Sequence, residues 1–191
     1  MESVGFKEWA IVCEALGRGQ QSIILRKGGI AEGRAGFSFR HQEFFLFPTW
    51  FHEQPAKVRG VDFSLPEPDG AEIEIKYFTR IDCSQMITSW KVVEQLESFH
   101  ILQPEVVRER FGYDKAPGLH VAFVRTFRLN PVWRLTNEER YAGCRSWVQL
   151  PEPPDNLRLE PVLTDSAHDK QRRAFSPIAG RFCEISSTSG V

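Results

Sequence analysis

The run Arg26-Lys27-Gly28-Gly29 sets two cations against two glycines. Glycine lets the backbone turn its N–H groups toward a ligand, and an arginine beside a lysine adds charge and forked donors, so the run suits an anion, phosphate above all. Arg145, in Gly143-Cys144-Arg145-Ser146-Trp147, is a further cation among small residues and joins Arg26, Lys27, Gly28 and Gly29 as a candidate anion-binding set. Neither the spacing of a Walker A loop nor a dinucleotide fingerprint is present. A plain glycine turn carrying solvated charges is the competing account.

Asp62, Glu74 and Lys76, with Glu8 as a fourth member, form a candidate catalytic set. Two carboxylates would hold Mg²⁺ while the lysine orients the attacking water, and the set resembles the acidic core of metal-dependent PD-(D/E)xK nucleases. The same pattern fits an ordinary half-solvated strand, with Glu72, Glu74 and Lys76 on one face and Ile73, Ile75 and Tyr77 on the other. An efficient magnesium nuclease is therefore not expected. His52, beside Trp50, Phe51 and Glu53, is a candidate general base or a hydrogen-bonded structural histidine. No histidine has metal-ligand spacing, so no metal site is assigned. Cys144 beside Arg145 reads either as an activated thiol or as a small residue packed on Trp147. Arg125, Arg128, Arg134, Arg140 and Arg145 interleave with Phe127, Trp133, Tyr141 and Trp147, which suits base stacking and phosphate contact, or else ion pairing with Glu138 and Glu139.

These residues must be positioned by a small set of elements. Phe6, Trp9, Cys13 and Leu16 recur at helical spacing and predict a helix over about 5–16, with a strand over Trp9–Leu16 as the rival. Ser22–Leu25, Phe37–Phe39 and Phe44–Phe47 read as strands, the last closed by Pro48. Val61–Leu65 and Ala71–Tyr77 alternate around Pro68-Asp69-Gly70 and read as a hairpin that carries Asp62, Glu74 and Lys76. Helices follow over about 89–99 and from Pro104 to Gly112. Leu119–Arg125 reads as a central strand, and Ser146–Leu150 as the last. A short polar helix through Arg173 and a loose end from Ser176 complete the chain.

The composition sets the outer limits. A chain of 191 residues with 41% hydrophobic and 12% aromatic residues has the apolar surface to fold alone, so disorder is excluded. Lys and Arg (24) balance Asp and Glu (25), so any attraction for a polyanion must come from a local patch. No apolar run reaches the length of a membrane span, and the first residues lack the pattern of a signal peptide, so a cytoplasmic protein is expected, without membrane association. Cys13, Cys83, Cys144 and Cys183 are scattered and read as reduced thiols.

Several segments together resemble the bacterial family of domain of unknown function 1802. They are Lys7-Glu8-Trp9-Ala10, Leu25–Ile30 with Glu32, Phe45–Thr49 with His52, Gly143–Trp147, and Pro161-Val162-Leu163 with Asp165. The resemblance spans residues 7–165 and implies no established activity. Members carry His-Gln where this chain has His52-Glu53-Gln54, and the Glu74-x-Lys76 pattern is not general among them, so it implies no catalytic role for that pair.

The expected fold is α+β, a single domain over 1–165 with a mixed, largely antiparallel sheet flanked by about three or four helices, and a polar tail over 166–191. The expected partner is nucleic acid, bound or processed at the Arg26–Gly29 loop. The alternatives are a binding module or enzyme for a small phosphorylated molecule, and a non-catalytic interaction protein. A basic groove from Arg26 to Arg145 would favour the first, and a closed pocket of roughly 300–1,000 Å³ at Arg26 the second. Lys7-Glu8, Arg26-Lys27, His52 and Arg145-Trp147 are expected on one cleft. Cofactor, catalytic status and oligomeric state are not specified by the sequence.

Overall fold

The computed structural model describes residues 1–27, 37–51, 54–65, 70–113 and 116–180. Seven strands form one mixed sheet: β1 (Val4–Trp9), β2 (Ile23–Arg26), β3 (Glu43–Thr49), β4 (Glu72–Ile87), β5 (Leu119–Thr136), β6 (Trp147–Gln149) and β7 (Arg158–Pro161). Their order is β2-β5-β4-β3-β1-β6, with β7 also paired to β5. Among the described strand pairs only β1 and β3 run parallel. The helices are α1 (Ala10–Gly17), α2 (Trp90–Glu94), α3 (Pro104–Phe111) and α4 (Asp165–Ala179). The fold is α+β and the sheet is open.

The expected first helix is half strand. Val4, Phe6 and Glu8 face one side and Gly5 and Lys7 the other, the period of two that a strand imposes, and the helix starts only at Ala10. Gly5 gives room to the packed side chains beside it: a Cβ there would lie 2.9 Å from Val148 Cγ2 and 3.3 Å from both Leu150 methyl carbons, which would have to shift. Phe37–Phe39 is not a strand. Its rings pack edge-on to each other and against Phe6, which explains their apolar character without a ladder. Val61–Leu65 is not a strand either, and its turn residues 66–69 lie outside the described residues. The partner of Glu72–Ile75 is Trp133–Thr136 of β5 instead. Pro48 does not close β3, which runs to Thr49, and β6 is not the last strand, since β7 follows.

Strands β4 and β5 make one long hairpin that changes register between Ile75 and Tyr77 and again between Ile81 and Cys83. A bulge re-aims the side chains that follow it. Ile75 and Phe78 therefore share one core with Phe45, Phe47, Trp133 and Leu150, whereas Tyr77 enters the other with Phe6, Phe44, Leu46 and Phe123. Both faces of β3 are buried, as its run of four apolar residues requires. Helix α4 buries Phe175 against Phe99 and Phe123, and its His168 Nε2 lies 2.7 Å from Asp82 Oδ2. Cys83 is disulfide-bonded, which corrects the expectation of reduced thiols there; Cys13 and Cys144 are free. Among the described residues no helix is long and apolar enough to cross a membrane.

Candidate anion-binding site

The site begins where β1 gives way to α1. Glu8 faces inward at 1% exposure, and its Oε1 accepts from the Trp9 N–H at 2.9 Å. Two guanidiniums converge on it: Arg26 Nη1 at 4.0 Å from Oε2 and Arg110 Nη2 at 3.9 Å from Oε1. These distances exceed those of a fork-to-fork pair, so the carboxylate does not saturate either arginine. Arg110 also donates to the Leu25 carbonyl at 2.8 Å and stacks on Trp9 with its Cζ 4.5 Å from the ring centroid. Burial, and after it Arg26, pull the Arg110 pKa down, while Glu8 and Glu109 oppose the fall.

Arg26 ties the two edges of the open sheet together. It stands at the end of edge strand β2, and its Nε and Nη2 donate to Ser146 Oγ at 3.1 and 3.0 Å, one residue before edge strand β6. Ser146 is fully buried and its carbonyl accepts from the Lys7 N–H at 2.8 Å. The exposed Arg145 therefore stands beside the contact of Arg26. Further cations surround this seam. Lys27 Nζ donates to the Ala116 carbonyl at 2.5 Å, and Arg40 lies 6.0 Å over Trp147. His120, opposite Arg26 in the ladder, has its pKa lowered by burial first and by Lys27 second. Gly28 and Gly29 lie outside the described residues, as does His52.

Lys7 is on the other face of β1, so the single cleft expected for all matched segments is divided. Glu8, Arg26 and Ser146 share the seam; Lys7 does not. Its ammonium donates to the carbonyls of Tyr141, Ala142 at 3.2 Å and Gly143 at 2.9 Å, and burial lowers its pKa against a raising effect of Cys144. Behind it lies a cavity of about 850 Å³ lined by Glu14, Trp50, Glu74, Lys76 and Tyr77 among others. Tyr77 donates to Glu14 Oε2 at 2.9 Å. Burial, then Glu14, raise its pKa.

The acidic candidates are not gathered. Glu74 is held by Arg134 at 2.9 Å and Lys76 at 3.2 Å, and Arg134 followed by Lys76 lowers its pKa. Asp62 is on a loop and accepts from Gln20 Nε2 at 3.1 Å, while Glu8 faces the seam. Among the described residues no group of three or more His, Cys, Asp or Glu is placed to hold a metal. Of the interleaved arginines, Arg125 pairs with Asp165 and Arg140 with Glu138. Arg110 was not found by sequence reasoning: it sits among Arg108, Glu109 and Phe111 on an amphipathic helix, where a charge reads as solvated.

Comparison with curated proteins gives no match. Among solved structures, the ASCH protein of Zymomonas mobilis is similar at 13% identity over 88% of this chain and 92% of that one, with a TM-score of 0.44. Two mutant forms of that protein give 12% identity, 88% and 92% coverage and a TM-score of 0.45, and 13% identity, 90% and 96% coverage and 0.44. The family model described as Domain of unknown function (DUF1802) matches residues 5–174, and the chain belongs to that family.

Proposed function

We propose that this protein binds nucleic acid through the cationic seam at Arg26. The observation that carries the reading is the pair of guanidiniums, Arg26 and Arg110, set against one buried carboxylate. Two positive charges contact one carboxylate, with Glu109 acting on Arg110 as well, and Lys27 and Arg145 are the sequence neighbours of Arg26 and of its contact Ser146. In a chain whose charges balance overall, such a local cluster of cations is what attracts a phosphate backbone. A small phosphorylated ligand is the second candidate. It would call for a closed pocket at Arg26; among the described residues the cavity of about 850 Å³ is lined by Lys7, Glu14, Trp50 and Tyr77 instead.

The test is equilibrium binding of a labelled homopolymeric oligonucleotide across a salt series. Binding should weaken steeply with salt, and Arg26→Ala or Arg145→Ala should make the log–log slope shallower by about one. Inorganic phosphate that competes fully at low concentration, with no salt slope for the oligonucleotide, would favour the small ligand and refute the proposal.

A further inference from the structure

Outside the seam, the described residues carry one consecutive pair of large exposed apolar side chains, Trp50 at 43% and Phe51 at 36%. Their backbone is not slack. Gln54, 3% exposed, donates from Nε2 to the Thr49 carbonyl at 2.6 Å and accepts from the Ile11 N–H at 3.4 Å, and its own N–H donates to the Phe51 carbonyl at 3.3 Å. The two rings are thus mounted on a segment tied to α1, exposed at a standing cost in hydration that a bound apolar surface would remove.

The pair is continuous with the seam. Phe51 meets Trp9 edge-on at 4.9 Å, Trp9 carries the Arg110 guanidinium at 4.5 Å, and Arg110 reaches Glu8 beside Arg26. Lys57 Nζ lies 6.0 Å from the Phe51 ring. A chain of contacts therefore runs from Lys57 and Phe51 to Arg26. Trp50 itself lines the rim of the cavity, whose lining holds Glu72, Glu74, Glu138 and Glu139 against Lys7 and Lys76, so a phosphate chain is better received from Phe51 toward Arg26. Flat rings set among cations suit bases that are free to stack. In a duplex the base faces are already stacked on one another.

We propose that the partner is single-stranded nucleic acid, with unpaired bases stacked on Trp50 and Phe51 and phosphates running from Lys57 toward Arg26. The inference rests on the nucleic-acid reading of the seam.

The test is anisotropy binding of the full chain to a labelled single strand, as RNA and as DNA of the same sequence, and to the matching duplex. The single strand should bind at least about tenfold more tightly than the duplex, and Trp50→Ala and Phe51→Ala should each cost about tenfold. Trp50→Tyr should retain most of the affinity. An unchanged melting temperature shows that these surface variants are folded. If strand and duplex bind alike and neither aromatic substitution matters while Arg26→Ala weakens both, the stacking inference is overturned and the seam stands. If the wild-type chain binds none of these probes, both fall together. A preference between RNA and DNA single strands, lost with Trp50→Ala, supports the inference and names the source of the bases.

Discussion

Glu8→Gln removes one charge and almost no volume from the seam. At 4.0 and 3.9 Å and an effective dielectric near 20, each arginine gains about 4 kcal/mol of Coulomb attraction from the carboxylate before desolvation. Most of that sum is offset by burial of the charges. The two arginines, with side chains 19% and 16% exposed, also retain Ser146 Oγ and the Leu25 carbonyl as acceptors. Breaking a buried pair from one side costs about 3–5 kcal/mol, and partial hydration puts this case at about 3 kcal/mol. The loss should be recoverable by an anion. Phosphate at about twenty times its dissociation constant would return about 2 kcal/mol to the variant by mass action, and less to the wild type, where Glu8 already partly neutralises the pair. The assay is urea unfolding of both proteins in chloride and in phosphate at matched ionic strength, the wild type correcting for the general stabilising action of phosphate. Equal stability of the two proteins, or equal gains from phosphate, would refute the assignment of net positive charge to this seam.

Three further outcomes follow from single contacts. His100 is pushed down to about 4, by burial first and then by Arg59 and Arg110, and its Nδ1 accepts from the Leu102 N–H at 3.1 Å. The unfolded chain takes up that proton first, so this stability is complete above about pH 6.5 and declines as pH falls toward about 4, by at most about 3 kcal/mol; His100→Asn should flatten that part of a stability–pH curve. Gly17→Ala would set a Cβ 2.0 Å from Tyr77 Cζ and should cost about 2 kcal/mol or more in urea unfolding, with the Tyr77–Glu14 bond displaced. Lys7→Met leaves the carbonyls of residues 141–143 without their donor and should cost about 2 kcal/mol, with faster amide hydrogen exchange confined first to that turn.

The strands with strong local patterns were legible: Ile23–Arg26, the apolar part of Glu43–Thr49, and the start of Leu119–Thr136 all lie where β-branched or aromatic residues cluster. The helix after Pro104 was legible too, because proline at its start and Gly112 at its end are local signals. Misreadings came where burial imitates periodicity. Phe6 and Trp9 fall in phase with Cys13 and Leu16, yet they belong to β1, whose partners Phe45–Thr49 and Trp147–Gln149 are remote in sequence. Residues 61–65 alternate, but the strand that pairs with Glu72–Ile75 lies some 60 residues away, as the Glu74↔Arg134 register shows. No local window reveals that choice.

For the site, residue types alone marked Arg26, Lys27 and Arg145 as partners for an anion, because charge and glycine chemistry are properties of the residues themselves. The same reading grouped Lys7 with Glu8, and here the strand decided otherwise: neighbours on a strand face opposite ways, so Glu8 went to the seam and Lys7 to the far cavity. Arg110 joined the site because α3 packs beside the end of β2, and Ser146 because the open sheet brings its two edges together at Arg26. The sequence by itself determined which groups were available, the balance of charge, and the α+β class. Only the tertiary structure decided which of those groups meet, since the electrostatics of the seam depend on separations of about 3–4 Å between residues up to 120 positions apart.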